Sequence, residues 1–200
     1  MTEKNYVGYN CLGHALDVQG HPQEAIRYYH EALKLWPDYT DAHRNLGVAF
    51  FNQGQNTKAI YHFREVLRTQ PNSLAGHHLL SKALQKQGQT AEAIEELHEV
   101  LRIDPRFVAA YNDLGLISLA QGNGTDAVAH FQEALRISPE KAVLHSNLGL
   151  AHAKRGEWGQ AAACFQRACE LAPENPLYRR NHNDALNHVE GSAKQSGQSD

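Results

Sequence analysis

Residues 40–73 read TDAHRNLGVAFFNQGQNTKAIYHFREVLRTQPNS, and the spacing of their small, large and proline residues returns four more times along the chain. Pro71, near the end of this stretch, has counterparts at Pro37, Pro105, Pro139 and Pro173, 34 residues apart. Gly54, 17 residues before Pro71, is matched by Gly20, Gly88, Gly122 and Gly156. Self-similarity at a fixed period of this length is the mark of a repeat architecture. The period therefore fixes the fold before any single side chain is interpreted.

Other columns keep the register. One holds Ala25, Ala59, Ala93, Ala127 and Ala161, and another Leu12, Leu46, Leu80, Leu114 and Leu148. A column of small residues (Gly13, Gly47, Ser81, Gly115, Gly149) accompanies one of large residues (Tyr29, Phe63, Leu97, Phe131, Phe165). Small positions facing large ones imply closely packed helices. Within the quoted stretch the apolar spacing is helical twice: Ala42, Leu46, Ala49 and Phe50 before Gly54, then Ala59, Ile60, Phe63, Val66 and Leu67 after it. Each repeat thus reads as two helices, with the glycine where the first must stop and the proline just past the second, where a missing N–H and a locked φ forbid continuation. Pro22, just after Gly20, suits a first helical turn.

This set of columns resembles the tetratricopeptide repeat (TPR) family, with units at 6–39, 40–73, 74–107, 108–141 and 142–175. The resemblance implies an all-α fold, a right-handed α-solenoid of five TPR helix-turn-helix units. His43, His77 and His145 stand where the family often has a large aromatic, and Ser118 and His152 where it has a larger apolar or aromatic residue. Residues 1–5 read as a short leader. A capping helix is expected over 176–190, with Leu177, Tyr178, Ala185, Leu186 and Val189 on its apolar side, and a disordered Ser/Gly/Gln-rich tail over 191–200.

Nineteen Lys and Arg against 22 Asp and Glu give a net charge of −3. No strongly basic face predicts nucleic-acid binding, and no apolar run approaches the roughly 20 residues of a membrane helix. A cytoplasmic location is expected, with no direct membrane insertion. Three cysteines argue against a disulfide scaffold. Cys169 falls in the column of Leu33, Leu67, Leu101 and Leu135 and reads as a small buried hydrophobe, whereas Cys11 and Cys164 read as partly exposed thiols.

Thirteen histidines invite a metal reading. His43, His77 and His145 lie a repeat or more apart, too far for one metal with bonds of about 2.1 Å, so they read as structural or surface residues. Glu95 and Glu96 lie on a second helix and read as a solvated face. No phosphate loop, Gly-x-Ser-x-Gly or His-Glu-x-x-His appears. Neither catalysis nor a cofactor is expected. Trp158 reads as packing. Trp36, whose column otherwise holds Gln70, Asp104, Ser138 and Ala172, reads either as packing under a turn or as an exposed contact residue.

The resemblance also implies that first helices line a concave groove that takes peptides or partner helices. Its outward positions map to Asn10, His14 and Asp17 in the first repeat and to Arg44, Asn45, Val48, Phe51 and Asn52 in the second. The third supplies His78, Lys82, Gln85 and Lys86. The fourth supplies Asn112, Asp113, Leu116, Leu119 and Ala120, and the fifth Ser146, Asn147, Leu150, Ala153 and Lys154. This surface begins polar and cationic and ends apolar, so the expected partner is a protein or peptide with an acidic part and an apolar part.

Two subfamily resemblances can be compared at single positions. Where co-chaperones clamp a C-terminal carboxylate, this chain has Asn10, His14, Asn45, Ala75 and Leu79, of which Asn45 alone fits. The Asn-Leu-Gly tripeptides at Asn45 and Asn147 look like the asparagine ladder of O-linked N-acetylglucosamine transferase, but Cys11, Leu79 and Asp113 interrupt it. The expected function is a non-enzymatic protein–protein interaction scaffold. One alternative is a substrate-recruiting or regulatory TPR region of a larger enzyme such as a glycosyltransferase. The other is self-association through Tyr6, Val7 and Tyr9 at an open first repeat.

Overall fold

The computed structural model describes the backbone of residues 5–196 and the side chains of residues 5–191. Residues 1–4 of the expected leader and 197–200 of the expected tail lie outside the described residues. The described residues form eleven α-helices and no strand, and they divide between two compact units, residues 1–105 and 106–200.

The first unit holds α1 (Asn5–Val18), α2 (Pro22–Leu35), α3 (Thr40–Asn52), α4 (Asn56–Thr69), α5 (Leu74–Lys86) and α6 (Thr90–Ile103). They pair as the hairpins α1–α2, α3–α4 and α5–α6, and each second helix also packs on the next first helix, α2 on α3 and α4 on α5. One apolar cluster joins them through Ala25, Tyr29, Leu46, Phe50, Ala59, Phe63, Leu80 and Leu84.

The second unit holds α7 (Val108–Ala120), α8 (Gly124–Ile137), α9 (Ala142–Lys154), α10 (Trp158–Leu171) and α11 (Pro176–Ser196). The pairs α7–α8 and α9–α10 form hairpins, α8 packs on α9, and α11 packs along α10. Its core gathers around Phe131, Leu148 and Ala151 in one cluster and around Phe165, Ala161 and Ala185 in another.

The glycine column ends every first helix in a left-handed conformation, from φ 72° at Gly54 to 84° at Gly20 and Gly88. At Gly54 the turn closes with Gln55 N–H donating to Phe50 C=O at 2.9 Å and Gly54 N–H to Phe51 C=O at 2.9 Å, the paired bonds of a Schellman end. The small and large columns meet as their sizes require. A Cβ added to Gly47 would lie 2.4 Å from Phe63 Cε1, and the same ring-on-glycine contact recurs for Gly13 with Tyr29, Gly115 with Phe131 and Gly149 with Phe165. Burial of each such side chain contributes roughly 1.5–3 kcal/mol.

The histidine column has a structural task that spacing alone did not reveal. Nε2 of His43, His77 and His145 bonds the carbonyl of Pro37, Pro71 and Pro139 at 2.7, 2.9 and 2.7 Å. Each imidazole thus satisfies a turn carbonyl that has no helical partner.

At the C-terminal end, α11 runs to Ser196, six residues beyond the expected end of the cap at 190, so 191–196 are helical where disorder was expected. The reason is energetic: Gly191, the first residue of the expected tail, costs a helix only about 1 kcal/mol when it sits inside one. Its expected apolar side is only partly used, because Ala185 is buried while Leu177, Leu186 and Val189 are exposed. Cys169 is half-buried rather than buried, as are Leu33, Leu67, Leu101 and Leu135 in its column.

Candidate functional site

In the first unit, α1 lies beside α3 and α3 beside α5, so their outward residues share a surface. Asn10 is buried, and its Oδ1 accepts from Asn45 Nδ2 at 3.0 Å. His14 and Asn52 are exposed, and Phe51 is half-buried against the core. Arg44 pairs with Asp41 on its own helix at 2.9 Å, which leaves less of its charge for a ligand. His78 is half-buried, and its carbonyl accepts from Ser81 Oγ at 2.7 Å. Lys82 and Lys86, one turn apart on α5, are exposed with no ion-pair partner among the described residues.

In the second unit the same asparagine pairing returns: Asn147 Nδ2 donates to Asn112 Oδ1 at 2.8 Å. In both units the amides that resemble a peptide-holding ladder therefore bond each other. Leu116 and Leu150, one repeat apart, are 39% and 42% exposed. Leu119 does not join them, since it is half-buried against Ala127, Val128 and Phe131.

Leu150 opens into a cleft of about 540 Å³ between α9, α10 and α11. Its apolar lining is Leu150, Ala153, Trp158, Phe165 and Ala185, and its polar lining is Asn181, Asp184, Asn187 and His188. Trp158 stacks on His188 with ring centroids 3.8 Å apart and planes 9° from parallel, so one wall is a flat aromatic pair. Asp184 lies 3.8 Å from Arg180 in a loose, exposed pair. An apolar floor with a few polar groups at its edge is the make-up of sites that take an anchoring side chain and orient its backbone.

The polar residues of α11 were missed by sequence reasoning although the period contains them. Asp184 is one repeat beyond Leu150, Asn187 one beyond Ala153 and Asn181 one beyond Asn147. Reading α11 as a sixth first helix, rather than as a cap, would have found all three.

Other chemical candidates are packed as scaffold. His43 Nδ1 and His62 Nδ1 share a buried hydrogen bond of 3.0 Å, and His62 stacks on Phe50. Burial, then charge on His43 and His30, pushes the His62 imidazole down to about 4. His77 Nδ1 meets Glu96 Oε2 at 2.5 Å and His152 Nδ1 meets Glu157 Oε2 at 2.7 Å. Among the described residues no group of three or more His, Cys, Asp or Glu could hold a metal ion, and no helix is long and apolar enough to cross a membrane. Burial raises the Cys164 thiol above its ordinary value. Trp36 combines its two expected roles, stacked on Tyr39 at 5.4 Å yet 44% exposed.

The sequence model of the family described as "Cilia and flagella-associated protein 70 C-terminal domain" matches residues 3–198. No curated protein matches the chain. Among solved structures, MamA from Desulfovibrio magneticus RS-1 is similar with a TM-score of 0.80 at 24% identity, over 88% of this chain and 99% of that one. TTC0263, a thermophilic TPR protein in Thermus thermophilus, gives 0.67 at 23% identity, over 90% and 98%. YrrB, described as a TPR protein with an unusual peptide-binding site, gives 0.71 at 19% identity, over 86% and 89%. These likenesses establish the all-α TPR solenoid class.

Proposed function

Because the chain belongs to the family of the cilia and flagella-associated protein 70 C-terminal domain, a TPR fold, we propose that it is a non-enzymatic interaction scaffold that holds a peptide or helix of a partner protein. The observation that carries this reading is the α9–α10–α11 cleft, where the exposed Leu150 and the Trp158–His188 wall stand beside Asn181, Asp184 and Asn187. A leucine-sized anchor buried there contributes roughly 1.5–3 kcal/mol, while amides on the rim orient the peptide.

An acidic stretch of a partner is matched, as a contact separate from the cleft, by Lys82 and Lys86, two exposed cations on the first-helix surface of the first unit. Exposed ion pairs are worth about 0–1 kcal/mol each, so they set orientation and association rate more than affinity. YrrB's described peptide-binding site is consistent with such a use of the fold.

The test is selection of peptides from a random displayed library on the whole chain, followed by calorimetric titration on wild type and on Leu150→Glu. Enriched peptides are expected to share a bulky apolar residue and to bind the variant at least tenfold more weakly, with its melting temperature unchanged. Peptides that bind both proteins equally would remove the cleft from the account.

A further inference from the structure

The α9–α10–α11 cleft has unlike walls. Leu150 and Ala153 on α9, with Trp158 and Phe165 on α10, make one side apolar. On α11, Asn181, Asp184 and Asn187 follow at intervals of three and His188 lies four after Asp184, so these residues share one helix face and line the remaining side as a polar stripe. The opening comes from how α9 and α11 each pack on α10.

A carboxylate stands at the middle of that stripe. Among the described residues that line the cleft, Asp184 alone is charged with histidine neutral. It lies about two turns into α11, too far from the helix start to cap it. Arg180 is 3.8 Å away, the two side chains are 79% and 61% exposed, and the cation precedes the carboxylate by four residues, the weaker of the two orders on a helix. Neither capping nor a tight ion pair therefore accounts for a carboxylate at this place. At the end of α9, Arg155 pairs with Glu157 at 2.7 Å, and neither it nor the exposed Lys154 lines the cleft.

We infer that the segment held in the cleft carries a cationic residue, arginine or lysine, which pairs with Asp184 while an apolar neighbour seats beside Leu150; this rests on the cleft being the binding site. Asp184 then decides which apolar segments are taken, because a neutral one forgoes the ion pair and an acidic one is repelled. The amides of Asn181 and Asn187, each a donor and an acceptor, suit the segment's backbone. A cleft of about 540 Å³ is roughly 8 Å across, the span of about two or three residues of extended chain, so the cation stands within about three residues of the apolar anchor. The charge required is opposite to that matched by Lys82 and Lys86 in the first unit, so the two surfaces select different segments.

The random displayed library is selected in parallel on wild type, Asp184→Asn and Asp184→Lys, whole chains whose melting temperatures are compared first. Fluorescein-labelled copies of the enriched peptides are titrated by anisotropy. Peptides count as cleft ligands when their binding falls with Leu150→Gln, an uncharged change in the apolar wall, made in the matching background. Cleft ligands of the wild type are expected to carry Arg or Lys within about three residues of a bulky apolar residue. They should bind Asp184→Asn about three- to fivefold more weakly and Arg180→Gln, which frees the carboxylate from its internal competitor, about twofold more tightly. Cleft ligands of Asp184→Lys should carry Asp or Glu in place of the cation.

Cleft ligands without the cation, or ones that bind Asp184→Asn as tightly as wild type, would overturn this proposal and leave the cleft standing as a binding site. A selection that yields no peptide sensitive to Leu150→Gln would remove the cleft, and this proposal with it.

Discussion

At Gly47 the chain has space for a hydrogen and nothing larger, because the Phe63 ring lies where a Cβ would go. The repeats that pair glycine with an aromatic follow this rule, and the third repeat departs from it at both positions, with Ser81 in the glycine column and Leu97 in the aromatic column. Size is conserved across the pair rather than at either residue. Gly47→Ala is therefore expected to lower stability by about 1–3 kcal/mol through overpacking. Adding Phe63→Leu should recover part of that loss, measured as a coupling energy in a urea double-mutant cycle. His62 supplies a second prediction at this scale. Its folded value of about 4 lies below the unfolded value near 6.5, so the unfolded state takes up a proton first as the solution is acidified. Stability conferred by the neutral, buried ring is present above about pH 6.5 and is lost as pH falls toward about 4, by roughly 3 kcal/mol in all. Urea midpoints at pH 7 and pH 4.5 should differ less for His62→Gln than for wild type.

Leu119 and Leu116 lie on the same helix, yet one is half-buried in the core and the other 39% exposed. Leu119→Ser should cost about 1–3 kcal/mol by creating a polar defect in the core. Leu116→Ser should stay within about 0.5 kcal/mol of wild type. Thermal melts of the two variants separate packing from surface. This pair also marks the limit of sequence reading. The helix boundaries and the hairpin pairing were legible because glycine, proline and the small and large columns each impose a steric condition that recurs. Leu119, by contrast, sits in a column with Asp17, Phe51, Gln85 and Ala153, where no shared residue size announces whether the side chain turns to the core or to the groove. The amide pairs Asn10–Asn45 and Asn112–Asn147 were hidden for a related reason. Their partners sit 35 residues apart, one step off the period, so column-by-column reading never set them side by side.

For the molecule as a whole, the repeated columns account for the scaffold, and the residues that break them are the ones we propose for recognition. Lys82, Leu116, Leu150 and Asp184 occupy a single column at successive repeats, so one structural position presents a cation, two leucines and a carboxylate in turn. With an acidic peptide selected on the first unit's surface, Lys82→Glu together with Lys86→Glu should weaken binding a few-fold at low salt and have little effect at high salt, where exposed charges are screened. Titration at two ionic strengths checks this. The most direct test of the central claim is an amide chemical-shift map of the isotope-labelled chain as a library-selected peptide with a bulky apolar residue is added. The account predicts the largest shifts at Leu150, Ala153, Trp158, Asp184 and Asn187, lining the α9–α11 cleft. Shifts confined to residues outside that cleft, with these five unmoved, would contradict it.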